Sequence, residues 1–173
     1  MKILITGGSK SGKSAFAERL ALLLSGEGPV LYIATMKVKS AEDYDIVRRH
    51  EQYRRGKPFT VIEREKDFGT LSFPKSNVAL IEDLPNFLAN EMFDGGSVER
   101  IESGIRHVAS MVDHLIIITN EIDSDGIRYA EDTRVYMSEL GKLNAICAAW
   151  CDRVVECVAG IPVTLKGEPL RCS

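Results

Sequence analysis

The chain has 173 residues, 45% hydrophobic and 27% charged, with a formal net charge of −3. That length suits one domain with a sizeable core, and the small negative charge gives no general attraction to nucleic acid or to an acidic membrane surface. No apolar run approaches the ~20 residues of a membrane span, and residues 1–5 lead straight into a glycine-rich turn, so neither a membrane anchor nor a signal peptide is expected.

Ile3-Leu4-Ile5 reads as a short buried strand, and Phe16, Leu20, Leu23 and Leu24 recur at helical spacing after it. Between them Gly7-Gly8-Ser9-Lys10-Ser11-Gly12-Lys13-Ser14 fits G-x-x-x-x-G-K-[ST], the phosphate-binding P-loop. The glycines let main-chain N–H groups turn inward on a phosphate, and the following helix adds its positive N-terminal end. Lys13 is then placed to reach the β- and γ-phosphates of ATP or GTP, and the Ser14 hydroxyl to hold Mg²⁺. A β–α turn without ligand is the competing reading; strand, loop and helix in the right order weigh against it.

Further along, apolar runs alternate with helical patterns, which predicts an α/β fold with a largely parallel sheet. Residues 30–34 form strand two, ending at Thr35. Residues 41–55 form a charged helix with few apolar positions, expected on the surface or over a site. Short strands follow at 59–62 and 78–81, the latter ending in Glu82-Asp83, then helices at 84–93 and 98–112. The most apolar strand, 115–118, ends in Thr119-Asn120-Glu121. A helix over 131–150 buries the face carrying Tyr136, Leu140, Leu143, Cys147 and Trp150, and strands at 154–158 and 161–165 close the chain as a hairpin. The cysteines Cys147, Cys151, Cys157 and Cys172 contain no C-x-x-C pair, so no zinc site is expected; a P-loop chain of this kind is expected in the cytoplasm with its thiols reduced.

Ligands of open parallel sheets sit beyond the carboxyl ends of the strands, so Thr35, Glu82, Asp83, Asn120 and Glu121 should gather near the P-loop. Glu82 or Asp83 occupies the place of a Walker-B acid, which binds Mg²⁺ directly or through water. His50 lies in Arg48-Arg49-His50-Glu51-Gln52-Tyr53-Arg54-Arg55-Gly56-Lys57. Guanidinium groups bind phosphate oxygens in pairs and disfavour imidazolium, leaving a neutral imidazole able to attack phosphorus. The same pattern also fits a solvated charged helix carrying an incidental histidine. His107 and His114 lack this setting and read as structural.

Taken together these residues resemble the bifunctional adenosylcobinamide kinase/adenosylcobinamide-phosphate guanylyltransferase family. The resemblance runs through residues 5–14 and 31–35, Arg49-His50, Arg54, Pro58-Phe59, Glu63, Glu82, Asn90, residues 119–122, Arg134, Tyr136, Gly141 and Asn144, and ends in 151–154 and 159–166. It implies a RecA-like P-loop fold, a homotrimer, and two reactions. In the first, a nucleoside triphosphate phosphorylates the aminopropanol hydroxyl of the corrinoid adenosylcobinamide. In the second, a histidine accepts GMP from GTP and passes it to that phosphate. His50 corresponds to the guanylylated histidine; Thr35, Met36, Lys37, Glu51, Gln52, Tyr53, Arg54, Glu63 and Glu82 fall at nucleotide-contacting positions. Where the family has a glycine-rich, apolar loop, residues 123–129 here are Asp-Ser-Asp-Gly-Ile-Arg-Tyr. A P-loop kinase for another small hydroxylated substrate, with His50 supplying only charge, and a nucleotide-binding module without turnover are the alternatives.

Overall fold

The computed structural model describes residues 1–38, 40–122 and 129–170; the side chains of Glu42, Asp43, Ile46, Arg49, His50 and Tyr53 lie outside that description. Seven strands, β1 (Lys2–Thr6), β2 (Val30–Ala34), β3 (Phe59–Glu63), β4 (Ser76–Glu82), β5 (Val112–Ile118), β6 (Arg153–Val158) and β7 (Ile161–Lys166), form one sheet in the order β3-β2-β4-β5-β1-β6-β7. Every pairing is parallel except that of β6 with β7. The helices are α1 (Lys13–Ser25), α2 (Ala41–Arg54), α3 (Leu84–Phe93), α4 (Ile101–Ser110) and α5 (Glu131–Trp150).

The central strands are apolar at successive positions because both sheet faces are covered. Val78 and Leu80 of β4 face α1, packing with Phe16, Ala17 and Leu20. Ala79 and Ile81 face the other layer, with Phe87 and Leu88 of α3, Ile105 and Val108 of α4, and Leu140 and Leu143 of α5. Each fully buried side chain of this size stabilises the fold by roughly 1.5–3 kcal/mol. Cys147, Cys151 and Cys157 are buried free thiols of this interior, while Cys172 lies outside the described residues.

Several boundaries differ from those read in the sequence, most clearly around α4 and β5. Residues 98–112 are not one helix: a 3₁₀ turn, Val98–Arg100, precedes α4, and β5 already begins at Val112. Pairing of Val112 with Ser76 and of His114 with Val78 extends the ladder below the apolar run, so cross-strand pairing, not hydropathy, sets where β5 starts.

The hairpin bears directly on the phosphate loop. β6 and β7 are joined by Ala159-Gly160, whose φ values of 50° and 83° are the positive pair required by a two-residue turn matched to strand twist. The Gly160 N–H donates to the Ser11 carbonyl at 2.9 Å. At Gly7, φ is 138° and an added Cβ would lie 2.4 Å from the Cys157 carbonyl oxygen, so the P-loop backbone rests against β6 with no room for a side chain. Alanine in the left-handed region costs roughly 1–2 kcal/mol, whereas asparagine tolerates it. Ala159→Asn is therefore expected to raise unfolding stability by about 1 kcal/mol in chemical denaturation; an unchanged or lower midpoint would contradict the strain assigned to this turn.

Candidate active site

The C-terminal edge of the parallel sheet gathers the residues that carry chemistry. Residues 7–14 join β1 to α1 as a loop that closes with Gly12, at φ 93°, before the first helical residue, Lys13. Its N–H groups and the start of α1 form the setting in which a phosphate is bound by backbone dipoles. The Lys13 side chain is buried and its Nζ donates to the Gly8 carbonyl at 2.7 Å, folded back across its own loop. Burial holds its ammonium below the ordinary lysine range, against the pull of Asp83.

The two acids at the end of β4 divide their work. Ser14 Oγ donates to Glu82 Oε1 at 3.1 Å. Asp83 turns to α3 and accepts from the Asn86 N–H at 2.8 Å as its N-cap. Glu82 is thus the acid joined to the P-loop hydroxyl. Burial pushes its carboxyl up to about 8; the Ser14 hydroxyl opposes the rise, and the charges of Asp83 and Glu18 add to it. Arg54 Nη1 stands 3.9 Å from Glu82 Oε2, too far for a hydrogen bond, so burial prevails.

Thr35 locks this corner. Its hydroxyl accepts from the Asp83 N–H at 2.8 Å and is within 2.9 Å of the Glu82 carbonyl and 2.8 Å of the Asp83 carbonyl. Asn90 in α3 donates to the carbonyls of Thr35, at 2.8 Å, and Glu65, at 3.2 Å, so the ends of β2 and β3 are bound to the helix after Glu82. Glu63 lies in the same row as Ala34 and Glu82 but is exposed. Lys37 pairs with Asp94 at 3.0 Å, away from Glu82. At the end of β5, between β4 and β1, Thr119 Oγ1 donates to Asn144 Oδ1 at 2.6 Å and Asn144 Nδ2 to the Asn120 carbonyl at 3.2 Å, so the Thr-Asn-Glu segment is held by α5.

Helix α2 completes the site through its last turn. Arg54 is 8% exposed, the only buried side chain of α2 among the described residues. Its guanidinium stacks 3.8 Å from the Tyr32 ring centroid, and its Nε and Nη1 make no hydrogen bond among the described residues. Open donors on a buried guanidinium are costly unless an acceptor arrives, and phosphate oxygens are suitable acceptors. Beside them a cavity of about 340 Å³ is lined by Tyr32, Met36, Val47, Arg54, Glu82 and Asn86. A second, of about 610 Å³, runs along residues 10–15 of the P-loop and α1 to Glu18, Arg19 and Lys57. Glu51 and Gln52 are exposed on α2. The proposed roles of His50 and Tyr53 fall on side chains outside the described residues, as does the divergent loop at 123–128.

Sequence reasoning missed two residues here. Tyr32 was read only as part of a strand. Glu18 is buried in α1, with a carboxylate 3.6 Å from Lys57 Nζ. The available signal was an acid on the apolar face of α1, flanked by Ala17 and Leu20.

Fold and loop together define a P-loop protein of the RecA-like class. In fold the chain is similar to the flagellar accessory protein FlaH from Methanocaldococcus jannaschii, with a TM-score of 0.53 and 15% identity over 96% of this chain and 78% of that one. It is likewise similar to a KaiC-like protein from Pyrococcus horikoshii, with a TM-score of 0.50 and 14% identity over 90% and 71%. Residues 3–165 match the family model for cobinamide kinase / cobinamide phosphate guanyltransferase, and the chain belongs to that family. The bifunctional adenosylcobalamin biosynthesis protein CobP of Pseudomonas aeruginosa is 34% identical over 98% of this chain and all of its own length. The corresponding protein CobU of Escherichia coli is 28% identical over 96% of this chain and all of its own length.

The Glu82 shift makes a prediction for the metal-free protein. The folded state keeps a proton on Glu82 up to about pH 8, while the unfolded chain releases it near the ordinary glutamate value of 4.5. Stability contributed by the neutral carboxyl is therefore lost as pH rises toward 8. With chelator present, the melting temperature of wild type should fall more steeply between about pH 5 and pH 8, the window between those two values, than that of Glu82→Gln. Parallel curves for the two proteins would contradict the assignment.

Proposed function

We propose that this chain, acting as one nucleotide-binding domain over residues 1–173, carries out both reactions of its family. A nucleoside triphosphate on the P-loop phosphorylates the aminopropanol hydroxyl of adenosylcobinamide. GMP from GTP is then transferred to that phosphate through a GMP–histidine intermediate on His50. The observation that carries this reading is the Ser14–Glu82 hydrogen bond with Arg54 of α2 beside it. One place holds the phosphate loop, an acid and the last turn of the helix bearing His50.

The chemistry follows from those residues. Backbone N–H groups of residues 7–14, with Lys13, bind the triphosphate oxygens and meet charge as it builds on them. Arg54 offers its open donors to the α-phosphate. His50 stands three residues after Val47 and four before Arg54, the spacing of one helix face. Its imidazole nitrogen attacks the α-phosphorus; a nitrogen–phosphorus bond forms, the α–β phosphoanhydride bond breaks and pyrophosphate leaves. A phosphate oxygen of the corrinoid then attacks the same phosphorus and the imidazole is released. Ser14 and Glu82 offer hard oxygen donors that fit Mg²⁺, which would neutralise charge on the triphosphate. Thr35, Met36, Lys37, Glu51, Gln52, Tyr53 and Glu63 complete the proposed nucleotide contacts.

The other histidines support His50 by their own positions. His107 Nε2 is 2.9 Å from the Leu71 carbonyl, and His114 lies in the first half of β5, paired with Val78 and away from the P-loop edge. We further propose a cytoplasmic homotrimer with α2 near a subunit boundary. The family resemblance carries the trimer; Tyr44 of α2, 68% exposed, leaves that face open to a neighbour, and no described helix is long and apolar enough to cross a membrane.

Incubated with GTP and Mg²⁺, the protein should gain the mass of one GMP. The adduct should be labile to acid and survive mild base, as a phosphorus–nitrogen bond does. His50→Ala should lose both the adduct and guanylyl transfer while keeping most kinase activity. An adduct that persists in His50→Ala, or that maps to His107 or His114, would overturn the reading.

A further inference from the structure

Among the described side chains, helix α2 is held at its C-terminal end. Arg54 is its sole buried side chain among the described residues, whereas Tyr44, Asp45, Arg48, Glu51 and Gln52 are exposed. The chain after it continues the same anchor: the Lys57 N–H donates to the Arg54 carbonyl at 3.0 Å, and the Phe59 N–H to the Lys57 carbonyl at 2.8 Å, leading directly into β3. The position of α2 over the P-loop therefore depends on what holds Arg54 and Lys57.

Two carboxylates face these two cations. Glu82 lies 3.9 Å from Arg54 and Glu18 lies 3.6 Å from Lys57. Glu18 also acts electrostatically on Arg54, whose guanidinium is held below its ordinary range by burial and raised by that acid. The two acids differ in their other commitments. Glu82 is hydrogen-bonded to Ser14 and, in the proposed function, serves the triphosphate, so it is not committed to Arg54 when nucleotide binds. Glu18 belongs to α1 one helical turn beyond Ser14, in a helix fixed to the sheet by Phe16, Ala17 and Leu20. It is 6% exposed and faces the Arg54–Lys57 turn whatever Glu82 does.

We propose that Glu18 is a positioning residue for guanylyl transfer: its buried carboxylate holds the Arg54–Lys57 turn against the P-loop helix and so fixes the turn of α2 that bears His50. The assignment of transfer to His50 rests on the proposed function; the anchoring itself does not. A neutral glutamine of the same shape removes the charge and leaves the packing of α1 intact.

Two measurements on Glu18→Gln keep those parts apart. Hydrogen exchange reads the anchor alone: amides of residues 48–57 should exchange faster by about tenfold or more, with β1, β4 and β5 unchanged. Unchanged exchange in 48–57 would overturn the proposal, as would equal acceleration in the central strands, which would make Glu18 a general core residue. The rate of GMP adduct formation reads the function: it should fall by about tenfold or more, with the KM for the phosphoryl donor in the kinase reaction within about twofold of wild type. A second substitution, Lys57→Gln, made on Glu18→Gln should slow the adduct little further. An adduct rate in Glu18→Gln matching a wild type that does form adduct would overturn the proposal and leave His50 in place. A wild type that forms no adduct would remove the His50 reading, and the exchange data would still decide the anchor.

Discussion

A carboxylate buried beside a hydroxyl holds this site together. Glu82 sits at the end of a strand covered on both faces and accepts from the hydroxyl of Ser14, the last residue of the phosphate motif. Burying a carboxylate is unfavourable, and burial accordingly pushes its carboxyl up to about 8. That cost has a use. A buried acid beside the phosphate loop is suited to a cationic or charge-neutralising ligand. Arg54, with donors left open 3.9 Å away, shows the opposite imbalance. An anionic triphosphate carrying a divalent cation meets both needs.

The scaffold makes that arrangement rigid where it matters. Thr35 joins β2 to the Glu82–Asp83 turn, Asn90 joins α3 to the ends of β2 and β3, and Asn144 joins α5 to the end of β5. Beneath the loop, β6 and its hairpin turn leave no space at Gly7 and donate to Ser11. Helix α2 is the exception. Among the described side chains its last turn rests on a charged cluster, which suits the proposed role of meeting a phosphate.

Much of this was legible in the sequence for a physical reason: the elements that make the fold are locally strong. The P-loop, the apolar runs of β1, β4 and β5 and the periodicity of α5 each state their structure within a few residues. The carboxyl-end rule also brought Thr35, Glu82 and Asp83 to one place. What stayed hidden depends on contacts between distant segments. That Glu82 meets Ser14 while Asp83 caps α3 is visible only once the chain is folded. The value of Ala159-Gly160 lies in a bond to Ser11 across the sheet. Glu18 reads as an ordinary helix acid until Lys57 and Arg54 are folded against it, and Asn90 and Asn144 gain their meaning from carbonyls far away in the chain.

The central claim is that one phosphate site serves both chemistries. Lys13→Ala tests it most directly, because Lys13 belongs to the P-loop and not to α2. Removing one positioned charge at the reacting phosphates typically costs roughly 10²–10³ in rate. With a single shared site, kinase turnover and GMP adduct formation should fall together by about that factor, with the protein still folded. Adduct formation near the wild-type rate in Lys13→Ala, with kinase activity lost, would mean that the guanylyl donor binds elsewhere and would contradict the account.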